Sequence, residues 1–177
     1  NHESPLRGET FVSRKITRGI ANIVYGNLDF ISLGNLNAER DWGHAKDYVN
    51  GMYLMLQQDK PIDFVLATGV KTSIREFLFL AFKEIGIELK FLGKDLAEVG
   101  IVHKNSGKFN LRVGQEVVKV DPRYFRPTEV DLLLGDSSKA RKILNWKPKY
   151  DLKMLVKEMV QSDLNMIENK DISYKIS

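Results

Sequence analysis

Three short stretches of this chain gather residue types that bind anions and sugar hydroxyls. The first is Gly34-Asn35-Leu36-Asn37-Ala38-Glu39-Arg40-Asp41-Trp42-Gly43-His44, which leaves an apolar run and turns polar. In it Gly34 allows close backbone approach, Asn35 offers both a donor and an acceptor, and Arg40 presents a planar fork suited to phosphate or carboxylate. A plain surface ion pair between Arg40 and Asp41, worth at most about 1 kcal/mol, fits the same residues. The second stretch is Arg123-Tyr124-Phe125-Arg126-Pro127-Thr128-Glu129. There Pro127 stiffens the loop and biases Arg126 toward an extended conformation, so that Arg126 and Glu129 could grip a phosphate and ribose hydroxyls; an ordinary turn is the other reading. The third is Asn1-His2-Glu3-Ser4-Pro5-Leu6-Arg7-Gly8.

Other chemistries find no foothold. The histidines at 2, 44 and 103 have no ligand-like spacing, so no metal is assigned. Ser13 belongs to no nucleophile motif, and no Gly-x-Gly-x-x-Gly or P-loop run is present to cradle a pyrophosphate. The chain has 177 residues, 27 Lys+Arg against 23 Asp+Glu, and no cysteine. Neither disulfides nor thiolate metal sites can form, which suits a cytoplasmic location. No apolar run approaches the roughly 18 residues of a membrane span, and no leader pattern opens the chain, so a soluble protein without a membrane partner is expected. The net charge of +4 is scattered, bases alternating with acids, and this argues against a nucleic-acid partner.

These stretches need elements to hold them. Residues 9–25 place Val12, Ile16, Ile20, Ile23 and Val24 at helical spacing, with Arg14, Lys15 and Arg18 expected toward water or ligand. A short strand over 29–34 ends in glycine. Ala45, Tyr48, Val49, Met52 and Leu56 stripe a second helix that stops before Pro61, and a strand over 63–67 follows. Ser73 and Glu76 form a capping-box pattern ahead of a helix to Ile85, then a strand over 87–92. Residues 93–116 carry four glycines and read as turns with room for a small hairpin, before a half-exposed strand over 117–120. Asp136 or Ser137 caps a helix to about Leu144, Asp151 caps another to about Glu168, and 169–177 read as a frayed tail. Trp146 is expected to anchor the last two helices against each other.

Strands alternating with helices imply right-handed crossovers in an α/β sheet, and the first two strands are apolar enough to be covered on both faces. In such sheets ligands sit beyond the carboxyl ends of strands, where residues 34–44 fall. Two or three strands of this kind do not make a stable doubly covered sheet alone. With the abrupt, methionine-free start at Asn1, the expectation is the second part of a larger α/β protein, poorly soluble or partly folded in isolation.

The runs NHESPLRGETFVSRKI, LGNLNAERDWGHAKDYV, YFRPTEVD and KILNWKPKYDL resemble, in this order, the carboxyl-terminal half of the GDP-mannose 4,6-dehydratases. Those enzymes belong to the extended short-chain dehydrogenase/reductase family. The resemblance runs from residue 1 to about 168 and implies the last strands of a Rossmann-type sheet plus a smaller α/β substrate-binding domain. It implies a homo-oligomeric, NADP-dependent lyase that converts GDP-mannose to GDP-4-keto-6-deoxymannose on the way to GDP-fucose: hydride leaves C4, water leaves across C5 and C6, and hydride returns at C6. The family's Tyr-x-x-x-Lys pair, its Thr and Glu, and its glycine-rich loop all precede the position of Asn1. No catalytic residue is therefore expected here, and the missing amino-terminal half becomes a required partner. By position, His2 and Arg7 match residues on NADP, Asn1 one on the sugar-diphosphate side, and Val12 and Lys15 the helix that meets guanine. Asn35 lies in the substrate loop, Arg40 matches the arginine on the diphosphate, and Arg126 with Glu129 match the pair on diphosphate and ribose. Asp41, Trp42 and Asp47 are expected to shape the loop and the following helix. Leu6 departs from the family pattern, standing where a second arginine is common. An epimerase or reductase of the same superfamily, or a noncatalytic anion-binding module, are the competing functions.

Overall fold

A computed structural model describes residues 2–125 and 132–169. The chain runs α1 (Val12–Val24), β1 (Ile31–Leu33), β2 (Glu39–Asp41), α2 (Ala45–Leu56), β3 (Lys71–Ser73), α3 (Ile74–Lys83) and β4 (Ile87–Leu92). After a single 3-10 turn come β5 (Val99–Asn105), β6 (Glu116–Val120), β7 (Leu132–Leu133), α4 (Ser138–Leu144) and α5 (Leu152–Glu168). Two sheets result. One has the order β1-β6-β5-β4, with β1 parallel to β6 and the remaining pairs antiparallel; the other has the order β3-β2-β7, antiparallel then parallel.

Local chemistry accounts for three of the helix starts. The Ser73 hydroxyl accepts from the Glu76 amide at 3.1 Å and starts α3, while Asp151 accepts from the Met154 amide at 2.8 Å and starts α5. Behind α4 the Asp136 carboxylate takes the Ser138 amide at 2.9 Å. The main core lies between the four-stranded sheet and α1, α3 and α5, around Ile16, Ile20, Phe77, Phe82, Val117 and Met159. A smaller core forms where Ala140, Leu144 and Trp146 meet Leu54, Met55, Phe64 and Leu66.

Five expectations are corrected. Residues 63–67 form no strand: Gly135 packs directly against Ala67, yet among the described residues no backbone ladder joins this stretch to a neighbour. Residues 93–116 hold the seven-residue β5, whose bulges against β4 and β6 break the alternation that would have revealed it. Burial in β1 alternates along the strand, so this first strand is covered mainly on one face, not two. Arg14 points inward and is 5% exposed, since α1 is enclosed by sheet and helices nearly all round. Trp146 packs between α4 and α2, with its indole N–H donating to the Asp47 carbonyl at 2.8 Å, and not against α5.

Candidate functional site

Two assemblies hold the described candidate residues other than Arg40, which stands on a separate strand. The first is built on the segment 2–7. The Glu3 amide donates to the Gly43 carbonyl and the Glu3 carbonyl accepts from the Ala45 amide, both at 2.8 Å, which straps this segment in parallel onto the corner between β2 and α2. Glu3 is 3% exposed, and its carboxylate accepts from the Ser13 hydroxyl of α1. Burial pushes the Glu3 carboxyl above its ordinary value, against the pull of Ser13 and Arg7. Arg7 places Nε 3.3 Å from the same carboxylate and lays its guanidinium 3.6 Å above the Phe11 ring. Arg14 secures the segment from behind: its Nε meets both oxygens of Asp163 on α5, at 3.0 and 3.1 Å, while Nη1 donates to the carbonyls of Pro5 and Arg7. His2 lies 5.7 Å from the Tyr48 ring, and burial, then nearby positive charge including that of Arg7, lowers its pKa.

The corner to which this segment is strapped is rigid for identifiable reasons. Asp41 accepts from the Thr68 amide at 3.0 Å, the Thr68 hydroxyl at 2.6 Å and the Gly69 amide at 2.9 Å. That commitment, and the opposite facing of neighbours on a strand, replaces the simple Arg40–Asp41 ion pair. His44 caps α2, with Nδ1 accepting from the Lys46 amide at 3.0 Å, so the ring proton belongs on Nε2, which donates to Glu158 at 2.7 Å. Tyr150 stacks on that imidazole, and its own amide donates to the Asp47 carboxylate at 3.0 Å. Trp42 is buried against Phe77. Asp41, Trp42 and Asp47 thus shape the corner, as the sequence suggested. Burial, then the charges of Asp41, Asp47 and Glu3, drive the Tyr48 hydroxyl pKa upward, so this phenol stays neutral.

The second assembly sits at the carboxyl ends of β1 and β6, which are adjacent because the two strands are parallel. The Asp121 amide donates to the Leu33 carbonyl at 2.8 Å, and at Gly34 a Cβ would meet the Tyr124 carbonyl oxygen at 2.1 Å. The close approach expected of Gly34 is therefore to backbone of the 121–125 turn. Lys15 of α1 puts Nζ 3.4 Å above the Tyr124 ring, and Val12, one turn earlier, packs half-buried on the main core. Asn35 takes the Asn37 amide on its side chain at 2.9 Å and so shapes a turn.

Arg40 stands at the centre of the three-stranded sheet, in register with Thr72 on one side and Leu133 on the other, with Nη1 donating to the Glu39 carbonyl at 2.8 Å. The structure thus joins His2 with Arg7, and Lys15 with Gly34 and Tyr124, and sets Arg40 on a separate strand. Asn1, Arg126 and Glu129, and the tail from 170, lie outside the described residues. Their flanks do not: Tyr124 rests on Lys15, and chain returns as β7 beside Arg40.

Sequence reasoning overlooked Glu3, Ser13, Arg14, Asp163 and Glu158, which hold the first assembly in place. One signal was available, since Ser13 and Thr17 fall on the same helical stripe as Ile20 and Val24, where a surface serine would not lie.

This architecture is shared with solved structures. The chain aligns over 93% of its length with 46% of RMD from Pseudomonas aeruginosa complexed with NADPH, at a TM-score of 0.70 and 17% identity. Over 97% it aligns with 43% of dTDP-glucose 4,6-dehydratase from Bacillus anthracis in complex with NAD, at 0.64 and 13%. The chain shares the α/β fold of just under half of each of these chains, consistent with a carboxyl-terminal part of the extended short-chain dehydrogenase/reductase fold of dehydratases and epimerases. Sequence comparison is more specific. A family profile described as GDP-mannose 4,6 dehydratase matches residues 1–159, and the GDP-mannose 4,6-dehydratase of Vibrio cholerae serotype O1 is 54% identical over 96% of this chain. The chain belongs to the GDP-mannose 4,6-dehydratase family. It spans 46% of that relative's length.

Proposed function

We propose that the full-length protein is an NADP-dependent GDP-mannose 4,6-dehydratase, and that this chain supplies GDP-sugar binding and one side of the cofactor site. The observation that carries this reading is the convergence at the ends of β1 and β6: the Lys15–Tyr124 contact and the Gly34 turn meet there, at one flank of 126–131, and the other flank re-enters beside Arg40. A nucleoside diphosphate brings about two negative charges and a flat base to such a place. Cationic forks at 40 and 126 offset the cost of desolvating the charges, each contact contributing about 1.5–3 kcal/mol. Lys15 and Val12 offer a cation and an apolar surface to the base, and Asn1, Asn35 and Glu129 take polar sugar and ribose groups.

On the cofactor side the residues present fit the group assigned to them. Arg7 is held by Glu3 and Phe11, and His2 is half-buried beside Tyr48. NADP, when bound, supplies the hydride acceptor and donor; His2 and Arg7 bind and orient it, and acid–base catalysis falls to the amino-terminal half. That half is also the partner we assign to the exposed apolar residues of α2 and the unpaired 63–67 stretch, which would join its sheet as a late Rossmann strand. Cytoplasmic, homo-oligomeric organisation follows from the family resemblance.

In the full-length protein Arg40→Ala is expected to weaken GDP-mannose binding by at least tenfold in calorimetry, the loss of one charge-assisted contact, while NADP stays bound. Unchanged affinity removes Arg40 from the site. Incubation with GDP-mannose is expected to give the 4-keto-6-deoxy product by NMR; a product with its 6-hydroxyl intact would identify an epimerase instead.

A further inference from the structure

The junction of the first assembly is Glu3, a residue with no assigned role. We propose that Glu3 is the positioning residue of the cofactor side: its charge sets the orientation of Arg7, and its main chain sets the place of His2. This rests on the reading that Arg7 and His2 face NADP.

Glu3 makes contacts in three directions. Its amide and carbonyl are both bonded to the β2–α2 corner, the first of them at Gly43, three residues after Arg40, so the segment carrying His2 and Arg7 is fixed relative to the strand carrying Arg40. Its carboxylate accepts from Ser13, on the same helix as Lys15, and lies 3.3 Å from Arg7 Nε. Stacking on Phe11 fixes the plane of the Arg7 guanidinium, and the Glu3 carboxylate, in ion-pair contact at the Nε edge without a directed hydrogen bond, biases which way the charge turns within that plane. Both restraints come from within the chain, and side chains held by their own fold lower the ordering cost of binding a phosphate. A neutral amide at position 3 would serve Ser13 and the main-chain bridge equally well. Only Arg7 requires the charge, and burying a carboxylate is costly unless a paired cation uses it.

The test is Glu3→Gln in the full-length protein, which removes the charge and keeps volume and bridge. NADP dissociation is expected to rise about tenfold, as for loss of one charge-assisted contact, with GDP-mannose dissociation changed less than twofold. In an Arg7→Gln background the same substitution should add less than twofold, because its effect runs through Arg7. An equal loss in both backgrounds, or no loss in the single variant when Arg7→Gln alone weakens NADP, overturns the proposal. Arg7→Lys supplies an arm that does not depend on Glu3→Gln folding: it keeps the charge, loses the oriented fork, and is expected to bind NADP nearly as weakly as Arg7→Gln. Lysine performing as well as arginine would overturn the orienting role. If Arg7→Gln itself leaves NADP affinity unchanged, it is the underlying cofactor reading that fails.

Discussion

The main core and the smaller one beneath Trp146 are built from similar residues but are differently complete. In the main core α1, α3 and α5 close over a sheet whose four strands pair with one another, and Ile16, Ile20, Phe77, Phe82 and Val118 reach 0% exposure. In the smaller one, three buried residues from α4 and the turn after it meet α2 and the 63–67 stretch, while Val49 is 62%, Tyr53 60%, Leu56 82% and Val65 54% exposed. The lesson is that an amphipathic pattern specifies which side of an element must be covered and says nothing of whether the cover is nearby. On the proposed function, the covering surface belongs to the amino-terminal half.

The comparison can be broken by mutation. Phe77→Ala, deep in the main core, should cost about 3–5 kcal/mol in denaturant unfolding and affect the whole molecule. Trp146→Ala removes a side chain that is equally buried, yet in this chain it should mainly strip amide-exchange protection from α2 and α4 and leave α1, α3 and α5 protected. Simultaneous loss of protection everywhere would show the two regions to be one cooperative unit. Next in size, Asp163→Ala strands the buried Arg14 charge and should cost about 3 kcal/mol, together with increased exchange in residues 2–8, which Arg14 holds. A loss of stability with no change in that segment would separate the core from the first assembly.

The smallest effect concerns the clasp between the regions, where Glu158 of α5 takes bonds from His44 and Lys46 of α2. Burial pushes the Glu158 carboxyl upward, but those two partners together outweigh it and hold its pKa below the ordinary 4.5. Because the folded value is the lower one, the clasp contributes in full above about pH 4.5 and is lost as pH falls through the depressed value. Glu158 is 35% exposed, so screening keeps the effect to about 1 kcal/mol or less, and Glu158→Gln should flatten the stability curve in that acid window.

What the sequence made legible was local. The four longer helices and β1, β4 and β6 follow periodicity, and the caps at Ser73 and Asp151 follow residue type. β2 stayed hidden in a charged stretch because its three residues, Glu39, Arg40 and Asp41, are held by backbone pairing with β3 and β7 and owe nothing to strand propensity. β5 stayed hidden behind its bulges, and 63–67, though packed against Gly135, joins no backbone ladder among the described residues. At the candidate site, the cations at 7, 15 and 40 could be picked out by type and by family resemblance. Glu3, Arg14 and Asp163 could not, since buried charges look like surface residues until the chain from the far end, residue 163, is seen to come back beside residue 14.

Gly34 adds one consequence. With the Tyr124 carbonyl where a β-carbon would be, two loops 90 positions apart in sequence meet main chain to main chain at this point. Main-chain contact is blind to side-chain identity, so substitutions elsewhere in either loop can retune what is bound without altering this spacing, whereas a side chain at position 34 would change it. The glycine acts as a gauge block between the two loops: it contributes no chemistry of its own and sets the dimension on which the neighbouring chemistry depends.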